Sequence, residues 1–108
     1  MEIVQTRPIV GPRDPAHILE AILLASNNLR DICRYCGNEL HASTKILDAL
    51  KEMPYLYKPA DGDTDLALTG YLNGVIRVYH DADLEDGTCI IAFQGNSLQG
   101  ETGIKLVL

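Results

Sequence analysis

The hydrophobic period changes once along this chain of 108 residues, and that change restricts the fold more than any single motif does. Ile18, Ile22, Ala25, Leu29, Ile32 and Cys36 recur at alternating spacings of four and three, the period of one buried helical face. From Leu66 onward the period is strand-like. Segments 68–72, 75–79, 89–93 and 103–108 are rich in β-branched and aromatic residues and are separated by turn chemistry. Helical pattern first and strand pattern afterwards predict an α+β domain.

Local signals place the boundaries. Asp14-Pro15 supplies an N-cap followed by proline at the first helical position, so the first helix is expected to start there and to stop at Gly37. Glu39-Leu40-His41-Ala42 reads as a short strand. A second helix is expected from Ser43 or Thr44, with Ile46, Leu47, Leu50 and Met53 as its apolar face and Pro54 against its continuation. The opening Glu2–Thr6 with Ile9-Val10 reads as a strand or arm ended by Gly11-Pro12; Pro8 cannot donate to a ladder, so an edge position is expected. Tyr55 to Asp65 reads as a surface loop, and Asn73-Gly74 as a tight hairpin turn. The expected architecture is therefore an N-terminal strand or arm, two helices and a four-segment antiparallel β-meander, all in one domain spanning residues 1–108.

Composition acts by exclusion. Nine basic against fifteen acidic side chains leave a formal charge of −6, which opposes recognition of nucleic acid or of an anionic membrane surface. The longest unbroken apolar run, Ala21 to Ala25, is far short of the roughly 20 residues that span a bilayer. No basic stretch leads into an apolar one at the start, so a secretory signal is not expected. Three cysteines cannot all pair within one chain, and reduced thiols are the expectation.

No catalytic, cofactor-binding or metal site is expected, and no small-molecule substrate. Cys33-Arg34-Tyr35-Cys36-Gly37 has the spacing of a zinc knuckle, and a set of Cys33, Cys36, His41 and Cys89 is conceivable, with His17 and His80 as further candidates. Against it, Cys36 falls on the apolar face of the first helix, with Cys33 beside it, as small hydrophobes. Asp61-Gly62-Asp63-Thr64-Asp65 begins like a calcium loop, but Leu66 stands where glycine is required and Leu72 where the bidentate glutamate is required. His80 and Asp81, adjacent at a strand end, point to opposite faces. Neither a nucleophile elbow nor a phosphate-cradling glycine loop is present.

Taken in order, the segments resemble the axial domain of the major capsid proteins of contractile-tailed bacteriophages. The residues that carry the resemblance are Ala25-Ser26-Asn27-Asn28-Leu29, then Gly37-Asn38-Glu39-Leu40, then Ala42-Ser43 and Ile46-Leu47-Asp48-Ala49-Leu50. A more specific block follows, with Gly70, Asn73, Gly74, Arg77, Val78, Tyr79 and Asp81 as its marked positions, and Ala92-Phe93-Gln94-Gly95 ends the next strand. Gln94 replaces a lysine usual in the family, and Cys33 and Cys36 replace residues that are commonly basic and small. The similarity covers about residues 18 to 108. It implies a structural protein of a virion or of the infected host's cytoplasm, without cofactor, whose partners are other capsid subunits or copies of itself. It also implies that the chain joins a shell or modulates its assembly, because a complete subunit needs an arm, an extended loop and a spine helix besides. The loop tips at Asp81 to Gly87 or Tyr55 to Asp65 are the contact points it implies, with Tyr55 and Tyr57 either interface anchors or packed over the second helix.

Overall fold

The Asp14 cap forms as the sequence predicts. Its carboxylate accepts a hydrogen bond from the His17 backbone N–H at 2.8 Å, and helix α1 runs Pro15–Cys33. In this computed structural model residues 2–53, 56–57, 68–72, 75–94 and 101–108 are described. Tyr55, the Asp61 to Asp65 run, the Asn73-Gly74 turn and Gly95 lie outside them.

The remaining elements are strand β1 (Glu2–Pro8), strand β2 (Glu39–Ala42), helix α2 (Thr44–Lys51), and strands β3 (Leu56–Tyr57), β4 (Leu68–Leu72), β5 (Ile76–His80), β6 (Thr88–Gln94) and β7 (Glu101–Val107). They form an α+β fold with one mixed sheet in the order β1-β7-β6-β2-β5-β4-β3. β1 occupies an edge, as Pro8 requires, and runs parallel to β7.

The expected meander is corrected. β4 pairs with β5 and β6 with β7, each antiparallel, but β5 and β6 are not neighbours. β2 lies between them, antiparallel to β6 and parallel to β5. Period-2 patterning tells which residues are strand but not which strands pair, and a four-residue strand upstream of the four segments has two buried edges to satisfy. The loop expected over Tyr55 to Asp65 also changes, because Leu56-Tyr57 pairs with Leu72 and Tyr71 and extends the far edge.

The end of α1 differs too. Arg34, not Gly37, takes the left-handed conformation, with φ 70°, and its N–H bonds the Arg30 carbonyl at 2.8 Å. The buried stripe accordingly stops at Leu29. Ile18, Ile22, Ala25 and Leu29 are buried, whereas Ile32 is 42% exposed and Cys36 lies exposed beyond the helix, not on its apolar face. Gly37 has another task. A Cβ there would stand 2.6 Å from Ile91 Cγ1, so only glycine lets the chain return this close to the sheet. The return is pinned reciprocally: Ser26 Oγ donates to the Gly37 carbonyl at 2.9 Å, and Gly37 N–H donates to the Ser26 carbonyl at 3.2 Å.

α2 begins after Ser43, as expected, yet its cap is tertiary. Ser43 makes no side-chain cap; its Oγ accepts from Gly87 N–H at 3.1 Å. Asp86, distant in sequence, accepts from Lys45 N–H at 3.0 Å and so satisfies a first-turn donor. Both helices pack on one side of the sheet, over Leu40, Ala42, Val78, Cys89, Ile91, Ile104 and Leu106, in a single contiguous core. Each fully buried leucine or isoleucine there contributes roughly 1.5–3 kcal/mol.

Two substitutions test this account. Asp86→Ala removes the tertiary cap and should cost about 1 kcal/mol of unfolding free energy in a urea titration. Gly37→Ala overpacks the core against Ile91 and should cost about 1–3 kcal/mol in the same assay.

Candidate functional site

Alternation along each strand separates the sheet into two faces. Leu40, Val78, Cys89 and Ile91 point into the core. Their neighbours Glu39, His41, Arg77, Tyr79, Ile90 and Ala92 therefore stand on the other face, which carries no helix among the described residues.

Strand register orders that face into two rows. One runs Tyr71, Arg77, Glu39, Ala92, Gly103, and the other Tyr79, His41, Ile90, Lys105, Thr6, each residue opposite the next on the adjoining strand. His41 stacks on Tyr79 with ring centroids 5.5 Å apart, and its Nε2 stands 3.6 Å from a Glu39 carboxylate oxygen. Glu39 is buried, whereas His41, Tyr71, Arg77, Tyr79 and Lys105 are half-buried. The face thus brings aromatic side chains together with charged ones of both signs.

The residues marked by the capsid resemblance divide between core and surface. Gly70 is buried in β4 opposite Val78, which is itself fully buried. Arg77 and Tyr79 lie in the two surface rows. Asp81 ends β5: its N–H donates to the Ala42 carbonyl at 2.9 Å, and its carboxylate accepts from Asp83 N–H at 3.0 Å in a local turn. Asn73, Gly74 and Gly95 lie outside the described residues. The Asp81 to Gly87 loop is anchored at Asp86 on α2, so it is built into the core's margin.

Ile90 and Lys105 carry no signal of their own in the sequence, which offers His41 only as a conceivable zinc ligand and Glu39 only as part of a short strand and of the capsid-like order. Alternation within β2 already puts Glu39 and His41 on one face; their adjacency to Arg77 and Tyr79 depends on the parallel pairing of β2 with β5.

The conceivable zinc set does not assemble. His41 pairs across from Ile90 and Ala42 from Cys89, so His41 and Cys89 point to opposite faces of the sheet. Among the described residues no group of three or more metal-ligating side chains exists; the Cys33 side chain lies outside them. Of the other histidines, His17 Nε2 is 2.9 Å from the Val10 carbonyl and His80 Nε2 is 2.9 Å from Thr44 Oγ1.

No helix among the described residues is long and apolar enough to cross a membrane. Compared with known families and with curated proteins, the chain matches none.

Burial pushes the Cys89 thiol up to about 12 from an ordinary 9.0, because a thiolate would be desolvated in the core. The folded state thus holds that proton more tightly than the unfolded state does. The resulting contribution to stability is intact below pH 9.0 and is lost as pH rises toward about 12. At neutral pH an alkylating reagent should modify the exposed Cys36 in the native protein and leave Cys89 untouched until denaturant is added. Peptide mass spectrometry reads both outcomes, and native labelling of Cys89 would contradict the burial.

Proposed function

We propose that this chain is a bacteriophage structural or capsid-associated protein, similar to the axial domain of a major capsid protein, which works through protein–protein contact and not through catalysis. The observation that carries the reading is the order of motifs from Ala25 to Gly95, above all the block Gly70 to Asp81 with Arg77, Val78 and Tyr79. Support comes from the division of labour in that block. Gly70 and Val78 serve the core, while Arg77 and Tyr79 stand on the helix-free face, where a neighbouring subunit can reach them.

The partners are other capsid subunits or copies of this chain, and the setting is a virion or the host cytoplasm during assembly. Axial domains meet side by side around five- or six-fold axes, through heterologous contacts that close into rings. A chain of this kind either joins a shell or modulates assembly by presenting a subunit's contacts. No cofactor or small-molecule substrate has a part in this work.

Co-expression with the capsid subunits of a contractile-tailed phage is the test. Co-purification, or a ring-like oligomer in native mass spectrometry, is the expected result, and a paired Arg77→Ala and Tyr79→Ala variant should weaken it at least about tenfold, as loss of two interface anchors does. A strict monomer that ignores every capsid protein offered to it removes the reading.

A further inference from the structure

The sheet ends at β1. Its inner edge is bonded to β7, and among the described residues no strand lies on its outer edge, which is seven residues long. The outward N–H and C=O groups of such an edge are a template for another strand, and in β1 only the register shift between Ile3 and Gln5 and the terminal Pro8 limit how far a second strand can pair.

Two further observations bear on what covers it. First, three of the exposed large apolar side chains lie along this margin: Ile3, 39% exposed, in β1; Val10, 77% exposed, just after it; and Leu24, 59% exposed, on α1. Val10 and Leu24 line a groove between the strand's exit and α1, together with Arg7 and Glu20. Second, the charges of β1 are arranged self-complementarily. Glu2 is in register with Thr102 and Arg7 with Leu106, positions of the same parity on β7, so both side chains stand on the helix-bearing face. Ile3 and Thr6, in register with Gly103 and Lys105, both stand on the other face.

We propose that the outer edge of β1 docks a second copy of this chain, whose β1 adds antiparallel across a two-fold axis and joins the two sheets into one. The axis passes between Val4 and Gln5. Glu2 then faces the partner's Arg7, Ile3 faces the partner's Thr6, and each of these contacts occurs twice. The register shift between Ile3 and Gln5 puts Glu2 and Arg7 on one face and Ile3 and Thr6 on the other, so the faces of these pairs agree and both α1 helices lie on the same side of the joined sheet, with their Leu24 side chains and grooves on either side of the junction. An order of acid at one end and base at the other favours the antiparallel copy over a parallel one, which would set like charges together. Pro8 ends the pairing, and the two-fold closes the assembly without further growth. This surface is separate from the Arg77 and Tyr79 face, and the inference does not rest on the capsid reading.

Sedimentation velocity of the purified chain, alone, is the experiment. A dimer is expected to form with rising concentration below roughly 200 µM, the range of a modest interface. Arg7→Glu sets like charges opposite each other at both ends and should raise the dissociation constant at least about tenfold, whereas Glu2→Arg combined with Arg7→Glu should restore it. Leu24→Asp, at an exposed helix position, should weaken the dimer while leaving the circular dichroism spectrum and melting temperature of the monomer in place. Amides of Ile3 to Arg7 that point outward should gain hydrogen-exchange protection as the dimer forms. A monomer throughout that concentration range, open-ended polymers, a dimer indifferent to Arg7→Glu, or outward amides that gain no protection would each overturn the proposal. Association with capsid subunits is measured separately, with those subunits present, so failure of the β1 dimer leaves that reading standing.

Discussion

The structure depends on the backbone of β2. Only four residues long, it fills the gap between two antiparallel strand pairs and satisfies both, antiparallel to β6 on one side and parallel to β5 on the other. The pairing continues past its ends. Asn38 N–H bonds the Ala92 carbonyl, Arg77 N–H the Asn38 carbonyl, Ser43 N–H the Thr88 carbonyl and Asp81 N–H the Ala42 carbonyl, all at 2.9 to 3.0 Å. A buried strand with either edge unpaired would strand several donors and acceptors, each at a cost of about 1–3 kcal/mol. The two strand pairs become one sheet through this segment, and Leu40 and Ala42 put its inner face at the centre of the core.

What delivers β2 to that gap is the turn after α1. The Ser26 and Gly37 pair holds the returning chain against the helix, and the missing Cβ of Gly37 makes room for Ile91. On leaving β2 the chain enters α2 directly, with Ser43 buried and tied to Gly87 and with Asp86 capping the helix from the loop between β5 and β6. The acidic Asp81 to Gly87 stretch therefore works inward at its end, where a purely solvated loop would be the default for such a composition. It fastens helix to sheet.

With both helices on one side, the sheet's second face carries aromatic and charged side chains beside Ile90 and Ala92. Glu39, His41, Arg77 and Tyr79 are neighbours there because β2 and β5 run parallel in one particular register. That face carries aromatic side chains and charged ones of both signs in two rows across the sheet. In the proposed dimer the edge at β1 pairs backbone to backbone, and specificity comes from the order of side chains along the strand.

Much of this was legible from the amino-acid sequence, and the division has a physical cause. Helix starts, strand positions, the edge character of β1 and the buried faces of Ile18, Ile22, Ala25, Leu29, Ile46, Leu47 and Leu50 follow from local conformational preference and hydrophobic period, which act within a few residues. Local rules misassigned the stop of α1, because Arg34 accepted a left-handed conformation that glycine usually takes and Gly37 was needed for a packing contact 54 positions from Ile91 in the chain. The insertion of β2, the cap from Asp86 and the neighbours of Arg77 and Tyr79 were set only by the tertiary structure. Strand order and register are decided by which faces must be buried together and which backbone groups must find partners, and those demands join residues far apart in sequence.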